Sequence, residues 1–200
     1  MNGLRRVCVY CGSATGLDPA FARAADEFGA ALAAAGLGLV YGGGLIGLMG
    51  RVAHAALAAG AHVTGVIPRF LHDREVMMRE VTELVVTADM HERKRIMFER
   101  SDAFVALPGG IGTLEELVEM MTWSQLGQHD KPIVLANVSN FWAPLNELVR
   151  HMTEQGFIRP GWDVSYDVVD DVRDIVPTLI ARHAALAEER HPSREVLRRM

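Results

Sequence analysis

Short runs of apolar residues alternate with longer helical stretches along most of the chain. The first five segments read RVCVYCG, PAFARAADEFGAALAAAG, LGLVYGGG, GLMGRVAHAALAAG and HVTGVIP, and their periodicity predicts the order β-α-β-α-β. The alternation continues with a strand TELVVT, a helix from about Met90 to Arg100, a strand AFVALPGG, a helix from about Thr113 to Leu126, and a strand PIVLANV. A helix near Trp142 to Gln155, a late strand VSYDVV and a terminal helix complete the prediction.

The predicted strands are continuous runs of Val, Leu and Ile, with no alternation of apolar and polar positions. Such strands are buried on both faces, which requires a parallel sheet with helices on both sides. The pattern therefore predicts an α/β, Rossmann-like doubly wound fold with a mostly parallel sheet. We expect a single nucleotide-binding catalytic domain over residues 1–182, followed by a charged C-terminal tail over residues 183–200 that Pro192 interrupts.

Composition narrows the possible partners. The 200 residues are 50% hydrophobic and 22% charged, which is typical of a globular chain with a full core. A formal net charge of -5 argues against nucleic acid as a partner. The N-terminal apolar run is too short for a signal peptide, and no stretch reaches membrane-spanning length, so we expect a cytoplasmic protein without a membrane partner. Cys8 and Cys11 form a lone C-x-x-C, and we expect packed, free thiols rather than a zinc site.

Three glycine-rich loops follow predicted strands: CGSATG, YGGGLIGLMG and PGGIGT. Ligands of doubly wound sheets bind at the carboxyl ends of the strands, where these loops lie. None of the loops has the Lys and Ser/Thr of a Walker motif, which disfavours ATP hydrolysis. Gly42, Gly44 and Gly47 match G-x-G-x-x-G, but this match follows the second strand instead of the first, so NAD binding is also disfavoured.

The segment LPGGIGTLEE joins the third of these loops to a helix. A glycine-rich loop that leads into a helix favours phosphate, because free backbone N–H groups and the helix dipole attract an anion. The spacing of Thr113 and Glu116 also fits a capping box, which would make Glu116 a purely structural residue. Glu115 fits a first-turn acid that the helix dipole favours. The Glu116 carboxylate, near the same helix N-terminus, is expected to stay ionised, as a base or a charge stabiliser must. The sequence leaves the structural and catalytic interpretations of Glu116 open.

The upstream segment ADMHERKRIMFERSDAF carries the other candidate groups. Arg93 and Lys94 precede the strand that delivers the PGG loop, so both can lie beside that loop. The alternative is a solvent-exposed basic helix face. His91 lacks a second His at helical spacing, so we do not expect a metal ligand there.

Taken together, these motifs resemble the Lonely guy (LOG) proteins, cytokinin riboside 5'-monophosphate phosphoribohydrolases that are often mislabelled lysine decarboxylases. PGGIGTLEE fits the family pattern PGGxGTxxE, MHERK matches its basic segment, and CVYCGS, YGGGLIGLMG, VIP and VEMMTWSQLG follow in family order. The likeness covers about Arg5 to Ile158.

This resemblance implies hydrolysis of the N-glycosidic bond of an adenosine 5'-monophosphate, N6-substituted or not, without a cofactor or a metal. It places the catalytic pair on Arg93 and Glu116, and it implies a homodimer or larger homo-oligomer with the site near the subunit interface. The implied substrate-binding residues are Glu75, Arg93, Lys94, Gly110, Ile111, Gly112, Thr113, Leu114, Glu115, Glu116 and Thr122.

Two alternatives accompany this hypothesis. A non-catalytic nucleotide-binding carrier module could use the same loops, although the paired Arg93 and Glu116 argue against it. A pyridoxal-dependent decarboxylase needs a Schiff-base lysine. The chain's only lysines, Lys94 and Lys131, have no recognisable pyridoxal context.

Overall fold

The computed structural model describes residues 3–72 and 78–190. Within these ranges the strands are β1 Arg6–Tyr10, β2 Gly38–Tyr41, β3 Val63–Pro68, β4 Glu83–Thr87, β5 Ala103–Ala106, β6 Ile133–Ala136 and β7 Asp167–Val169. The helices are α1 Pro19–Ala34, α2 Gly47–Ala58, α3 Arg69–His72, α4 Met90–Glu99, α5 Ile111–Gln125, α6 Ala143–Glu154 and α7 Ile175–Arg190. Two 3₁₀ turns lie at Val138–Asn140 and Val172–Asp174.

The seven strands form one sheet in the order β4-β3-β2-β1-β5-β6-β7, and every described pair of neighbours is parallel. This confirms the predicted Rossmann-like doubly wound fold. The chain first builds outward from β1 to β4 and then crosses back to place β5 on the other side of β1. The strand order therefore reverses between β1 and β5, which is where such sheets bind ligands.

Both faces of the sheet are covered by helices, as the apolar strands predict. Val7 and Val9 of β1 belong to a core cluster that includes α1 and α2, whereas Cys8 and Tyr10 of the same strand belong to a second cluster with α4 and α5. Cys8 and Cys11 are free and buried, which confirms the prediction of packed thiols. Burial raises the pKa of the Cys8 thiol to about 12, so this group is an inert core residue.

Local signals explain where several helices begin. The Asp18 side chain accepts a hydrogen bond from the N–H of Ala20, and Pro19 occupies the first turn of α1. Asp89 caps α4 in the same way by accepting from the N–H of Glu92.

Helix α7 runs past residue 182, so the described part of the predicted tail is helical, and the domain boundary stays a prediction. No helix of the described ranges has the length and apolar character that crossing a membrane requires.

Candidate active site

Three loops meet at the carboxyl ends of β1, β2 and β5. The N–H of Gly12, after β1, donates to the carbonyl of Pro108, after β5, at 3.1 Å. The carbonyl of Gly12 in turn accepts from the N–H of Leu48 in the first turn of α2, at 3.0 Å. These backbone bonds hold the three predicted glycine-rich segments together at the point where the strand order reverses.

Arg93 and Glu116 form a buried ion pair at this edge. Arg93 Nη1 donates to Glu116 Oε1 at 2.7 Å, and each side chain is only 10% exposed. Arg93 Nε donates to the carbonyl of Val66 in β3 at 3.1 Å, which holds the guanidinium plane. Because α4 connects the edge strand β4 to β5, it must cross the sheet, and the crossing carries Arg93 to α5. The alternative of a solvent-exposed basic face is therefore wrong for Arg93.

The electrostatics of Glu116 differ from the expectation for a helix N-terminus. Burial raises the pKa of this carboxyl above its ordinary value, although the neighbouring Arg93 works in the opposite direction. Glu116 lies in the second turn of α5, beyond the reach of the dipole effect that was expected to keep it ionised. A raised pKa brings the carboxyl closer to a value at which it can exchange protons near neutral pH.

Lys94 makes a second set of ion pairs between the same two helices. Its Nζ donates to Glu115 Oε1 at 2.6 Å and to Glu119 Oε1 at 3.0 Å, and its side chain is 12% exposed. Although burial works in the opposite direction, the hydrogen bonds that Lys94 donates to these carboxylates raise its pKa. The sequence predicts that Glu115 is a first-turn acid, and this prediction is wrong. Glu115 lies beyond the first turn and pairs with Lys94.

The predicted capping box is also wrong. Helix α5 begins at Ile111, and its N-cap is Gly110, which supplies no side-chain cap. Thr113 is thus the third helical residue, and its side chain is buried. It packs beneath Gly109, because a Cβ on Gly109 would lie only 2.2 Å from Thr113 Oγ1. Gly109 is needed for this packing, which no local signal in the sequence reveals.

The start of α5 leaves backbone donors available. The first hydrogen bond to the N-cap carbonyl runs from Leu114 N to Gly110 O at 3.1 Å. The N–H groups of Ile111, Gly112 and Thr113 precede it and have no acceptor within the helix. Gly110 and Gly112 are exposed, and a Cβ at either would meet no atom within 4 Å, so the surface at this helix start is uncrowded.

The other predicted site residues are not all brought together. Thr122 is exposed and donates its hydroxyl to the carbonyl of Val118 at 2.8 Å, one turn back in the same helix. It follows Glu116 by six residues, which corresponds to about 9 Å along the helix axis. The chain thus places Thr122 well away from the start of α5. Glu75, the remaining predicted contact, lies outside the described residues.

A cavity of about 250 Å³ adjoins the start of α5. It lies between the loops after β1 and β5, next to Gly110, with Phe21 and Phe141 in its wall. A larger cavity of about 530 Å³ lies near Lys131 and Asp167, at the amino ends of β6 and β7. It includes none of the predicted site residues, so we place the candidate site at the carboxyl edge.

Sequence reasoning found the two charged partners but missed the carbonyl of Val66, which anchors Arg93. A backbone acceptor carries no sequence signature, so only the crossing of α4 over β3 reveals it.

Comparison with known proteins assigns the chain to a family. Residues 49–179 match the sequence model of a family described as "Possible lysine decarboxylase". The chain is 51% identical over 156 residues to the probable cytokinin riboside 5'-monophosphate phosphoribohydrolase LOGL2 of Oryza sativa, a match that covers 78% of this chain and 64% of the rice protein. It is 49% identical over 156 residues to the phosphoribohydrolase LOG1 of Arabidopsis thaliana, covering 78% and 73% of the two chains.

Solved structures share the fold at low identity. A molybdenum cofactor binding protein from Rippkaea orientalis has a TM-score of 0.69 at 19% identity, over 89% of this chain and 96% of that one. The molybdenum cofactor carrier protein of Chlamydomonas reinhardtii has a TM-score of 0.67 at 22% identity, over 90% and 99%. At these identities the likeness shows the fold alone.

Proposed function

Because the chain belongs to the LOG family of cytokinin riboside 5'-monophosphate phosphoribohydrolases, we propose that it hydrolyses the N-glycosidic bond of an adenosine 5'-monophosphate, N6-substituted or not. The products are the free base and ribose 5-phosphate. The observation that carries the proposal is the buried Arg93–Glu116 pair beside the open, uncapped start of α5. The chain spans 64% of the length of the rice relative, so both the activity and the substrate are our proposal.

Glu116 is the group that meets the reacting sugar. When the bond between C1' of the ribose and the base nitrogen breaks, its electron pair leaves with the base and positive charge builds on the sugar. The Glu116 carboxylate stabilises this charge and accepts a proton from the water that adds to C1'; a proton then passes to the departing base, so that neutral free base is released and the carboxylate is restored. Its buried position strengthens both effects, and its raised pKa makes proton uptake easier.

The phosphate binds at the other end of the same segment. The first-turn amides of Ile111, Gly112 and Thr113 have no acceptor within α5, and a helix N-terminus of this kind favours an anion. Arg93 adds a permanent positive charge with a fixed fork geometry that suits phosphate or ribose oxygens. Lys94 and the remaining residues from Gly110 to Glu116 complete the proposed contacts.

The environments of the two lysines favour hydrolysis over pyridoxal-dependent decarboxylation. Lys94 is bound by two glutamates. Lys131 Nζ donates to the backbone carbonyl of Phe98 at 2.7 Å and lies 3.7 Å from the centre of the Phe98 aromatic ring. A Schiff-base lysine must present a neutral amine to its cofactor. The two carboxylates that raise the pKa of Lys94 hold it in the charged form. Burial lowers the pKa of Lys131, but this lysine lies at the amino ends of the strands, away from the candidate site.

Product analysis tests the proposal directly. We expect chromatography to detect free base and ribose 5-phosphate when the protein is incubated with AMP or N6-isopentenyl-AMP. Arg93→Ala and Glu116→Ala should each lower turnover by at least about 100-fold, the scale on which removed transition-state contacts act. Arg95→Ala and Glu99→Ala are matched controls, because these two residues form an exposed ion pair on α4, the helix that also carries Arg93. Tight AMP binding without base release would favour the carrier alternative instead.

We further propose that the protein is a homodimer with the site near the subunit interface. The outward face of α5 carries the exposed side chains Ile111, Val118 and Leu126, with Thr122 between them. Spacings of seven, four and four residues keep these side chains on one stripe. A second copy packed on this stripe would cover the apolar side chains. It would also bring the second copy's Thr122 toward the Arg93–Glu116 pair of the first chain, which the first chain's own Thr122 does not reach.

Light scattering tests the dimer. We expect two chains per particle for the wild type and one for Val118→Glu, with loss of turnover. Leu148→Glu, an exposed apolar position on α6, is the control and should remain dimeric. A monomeric, fully active wild type contradicts the dimer proposal.

We place the protein in the cytoplasm, because its two cysteines are free, buried thiols, as is usual in a reducing compartment.

A further inference from the structure

Gly42 follows β2 and is the first glycine of the G-x-G-x-x-G match, which the proposed function leaves unused. A Cβ at this position would lie 2.3 Å from Nη2 and 3.5 Å from Cζ of Arg93, and 3.0 Å from Sδ of Met49. Real Cβ atoms do not approach other heavy atoms as closely as 2.3 Å. The guanidinium of Arg93 therefore occupies the space that a side chain on Gly42 would fill.

The guanidinium is held on its other sides. Its Nε donates to the carbonyl of Val66 at 3.1 Å, and its Nη1 donates to Glu116 at 2.7 Å. With the side chain only 10% exposed, it cannot swing into solvent without giving up both bonds. A methyl group on Gly42 would therefore push the guanidinium away from Glu116 while leaving the main chain in place.

Other glycines of the same stretch serve the main chain. Gly43 and Gly47 have φ values of 80° and 65°, which favour glycine. A Cβ on Gly47 would lie 2.2 Å from the carbonyl carbon of Ser13, and one on Gly50 would lie 1.7 Å from the carbonyl oxygen of Leu45. Gly42 has no positive φ, so its backbone accepts alanine, and its closest conflict is with the end of a side chain.

We infer that Gly42 is a positioning residue: by lacking a side chain, it sets the place of the Arg93 guanidinium against Glu116. This inference rests on the proposed function for its effect on turnover. Its effect on the Arg93–Glu116 geometry is independent of which reaction the site performs.

Gly42→Ala tests the inference in two backgrounds. In the wild-type background, we expect kcat/KM for AMP to fall on the order of 100-fold, because misplacing a reacting group by about 1 Å has effects of that size. In an Arg93→Lys background, the same change should lower kcat/KM less than about threefold, since lysine lacks the Nη2 branch that meets the new methyl. Gly38→Ala, at the opposite end of β2, is the matched control and should leave kcat/KM unchanged. Equal losses from Gly42→Ala in both backgrounds would overturn the inference.

A second measurement does not depend on turnover. Carbon NMR of labelled Glu116 reports its pKa, which burial raises and the neighbouring Arg93, Glu115 and Lys94 also influence. Because Arg93 lowers this pKa, displacement of its guanidinium in Gly42→Ala should raise the pKa of Glu116. In Gly38→Ala the guanidinium keeps its place, so the pKa of Glu116 should be unchanged. An unchanged pKa in Gly42→Ala overturns the inference.

The two proposals fail separately. If the wild type releases no base but Gly42→Ala still raises the Glu116 pKa, the proposed function is wrong and the positioning role stands. If Gly42→Ala fails to fold, the double variant with Arg93→Lys decides: a folded double variant supports the clash with Arg93, and an unfolded one contradicts it.

Discussion

The glycine-rich loops after β2 and β5 look alike in sequence but use their glycines differently. After β2, the space at Gly42, Gly43, Gly47 and Gly50 is filled by the protein's own atoms, including the guanidinium of Arg93. After β5, Gly109 packs against Thr113, but a Cβ at Gly110 or Gly112, where α5 starts, would meet no atom within 4 Å. The first loop is thus closed and serves packing and positioning, whereas the second is open at its helix end and available there to a ligand. Glycine content alone therefore does not identify a phosphate loop.

The largest expected effect comes from crowding the closed loop. Gly47→Ala should destabilise the protein by about 3 kcal/mol or more, because it adds backbone strain and a backbone clash. Gly36→Ala is the control, since Gly36 has a φ of 68° but meets nothing within 4 Å. That variant should cost only about 1–2 kcal/mol, the strain alone. Urea unfolding measures both, and equal losses would show that the loop is not closed.

The next effect concerns the side chain that fills the closed loop. Arg93→Met should cost about 3 kcal/mol at neutral pH, because it leaves Glu116 as a buried, uncompensated charge. Arg95→Met, which breaks the exposed pair with Glu99, should cost at most about 0.5 kcal/mol. Chemical denaturation of the two variants gives the comparison. The double variant Arg93→Met, Glu116→Gln should regain most of the stability; if it does not, the loss comes from packing.

A smaller effect is expected in the pH dependence of stability. Because the folded state raises the pKa of Glu116 above its ordinary value of 4.5, the folded protein holds this proton longer than the unfolded chain. The resulting stabilisation is present below the ordinary value and is lost as the pH rises through the folded-state pKa. A tenfold difference in proton affinity is worth about 1.4 kcal/mol.

Unfolding free energies of the wild type and Glu116→Gln, measured from pH 4 to pH 8, isolate this contribution. The wild type should lose more stability than the variant as the pH rises. The opposite sign would mean that Arg93 outweighs burial.

The smallest stability effect is expected in the open loop. Gly112→Ala should raise stability by about 0.5–1 kcal/mol, since alanine is the better helix residue and the added methyl meets no atom. The same methyl should weaken AMP binding several-fold by entering the space proposed for phosphate. Thermal unfolding and calorimetry measure the two effects. A variant that is more stable and binds AMP normally would contradict the proposed phosphate position.

Much of the fold was predictable because its signals are local. The apolar runs predicted the strands and the parallel sheet, and the predicted helix from Met90 to Arg100 differs from α4 by one residue. The start of α5 was mispredicted, because the Thr113–Glu116 spacing fits a capping box while Gly110 begins the helix without a side-chain cap. The spacing rule describes an exposed helix end, whereas Thr113 packs beneath Gly109 through a tertiary contact.

By itself, the sequence determined the elements and the fold class, since periodicity is a property of neighbouring residues, and its resemblance to the LOG family implied the pair Arg93 and Glu116. Only the tertiary structure decided that these two side chains, 23 residues apart, meet in a buried pair between α4 and α5. It also decided that burial outweighs the arginine in raising the Glu116 pKa, and that Gly42 faces the guanidinium while Gly112 faces open space. Desolvation and steric fit depend on every atom that surrounds a group, and chain crossing brings most of those atoms from distant segments.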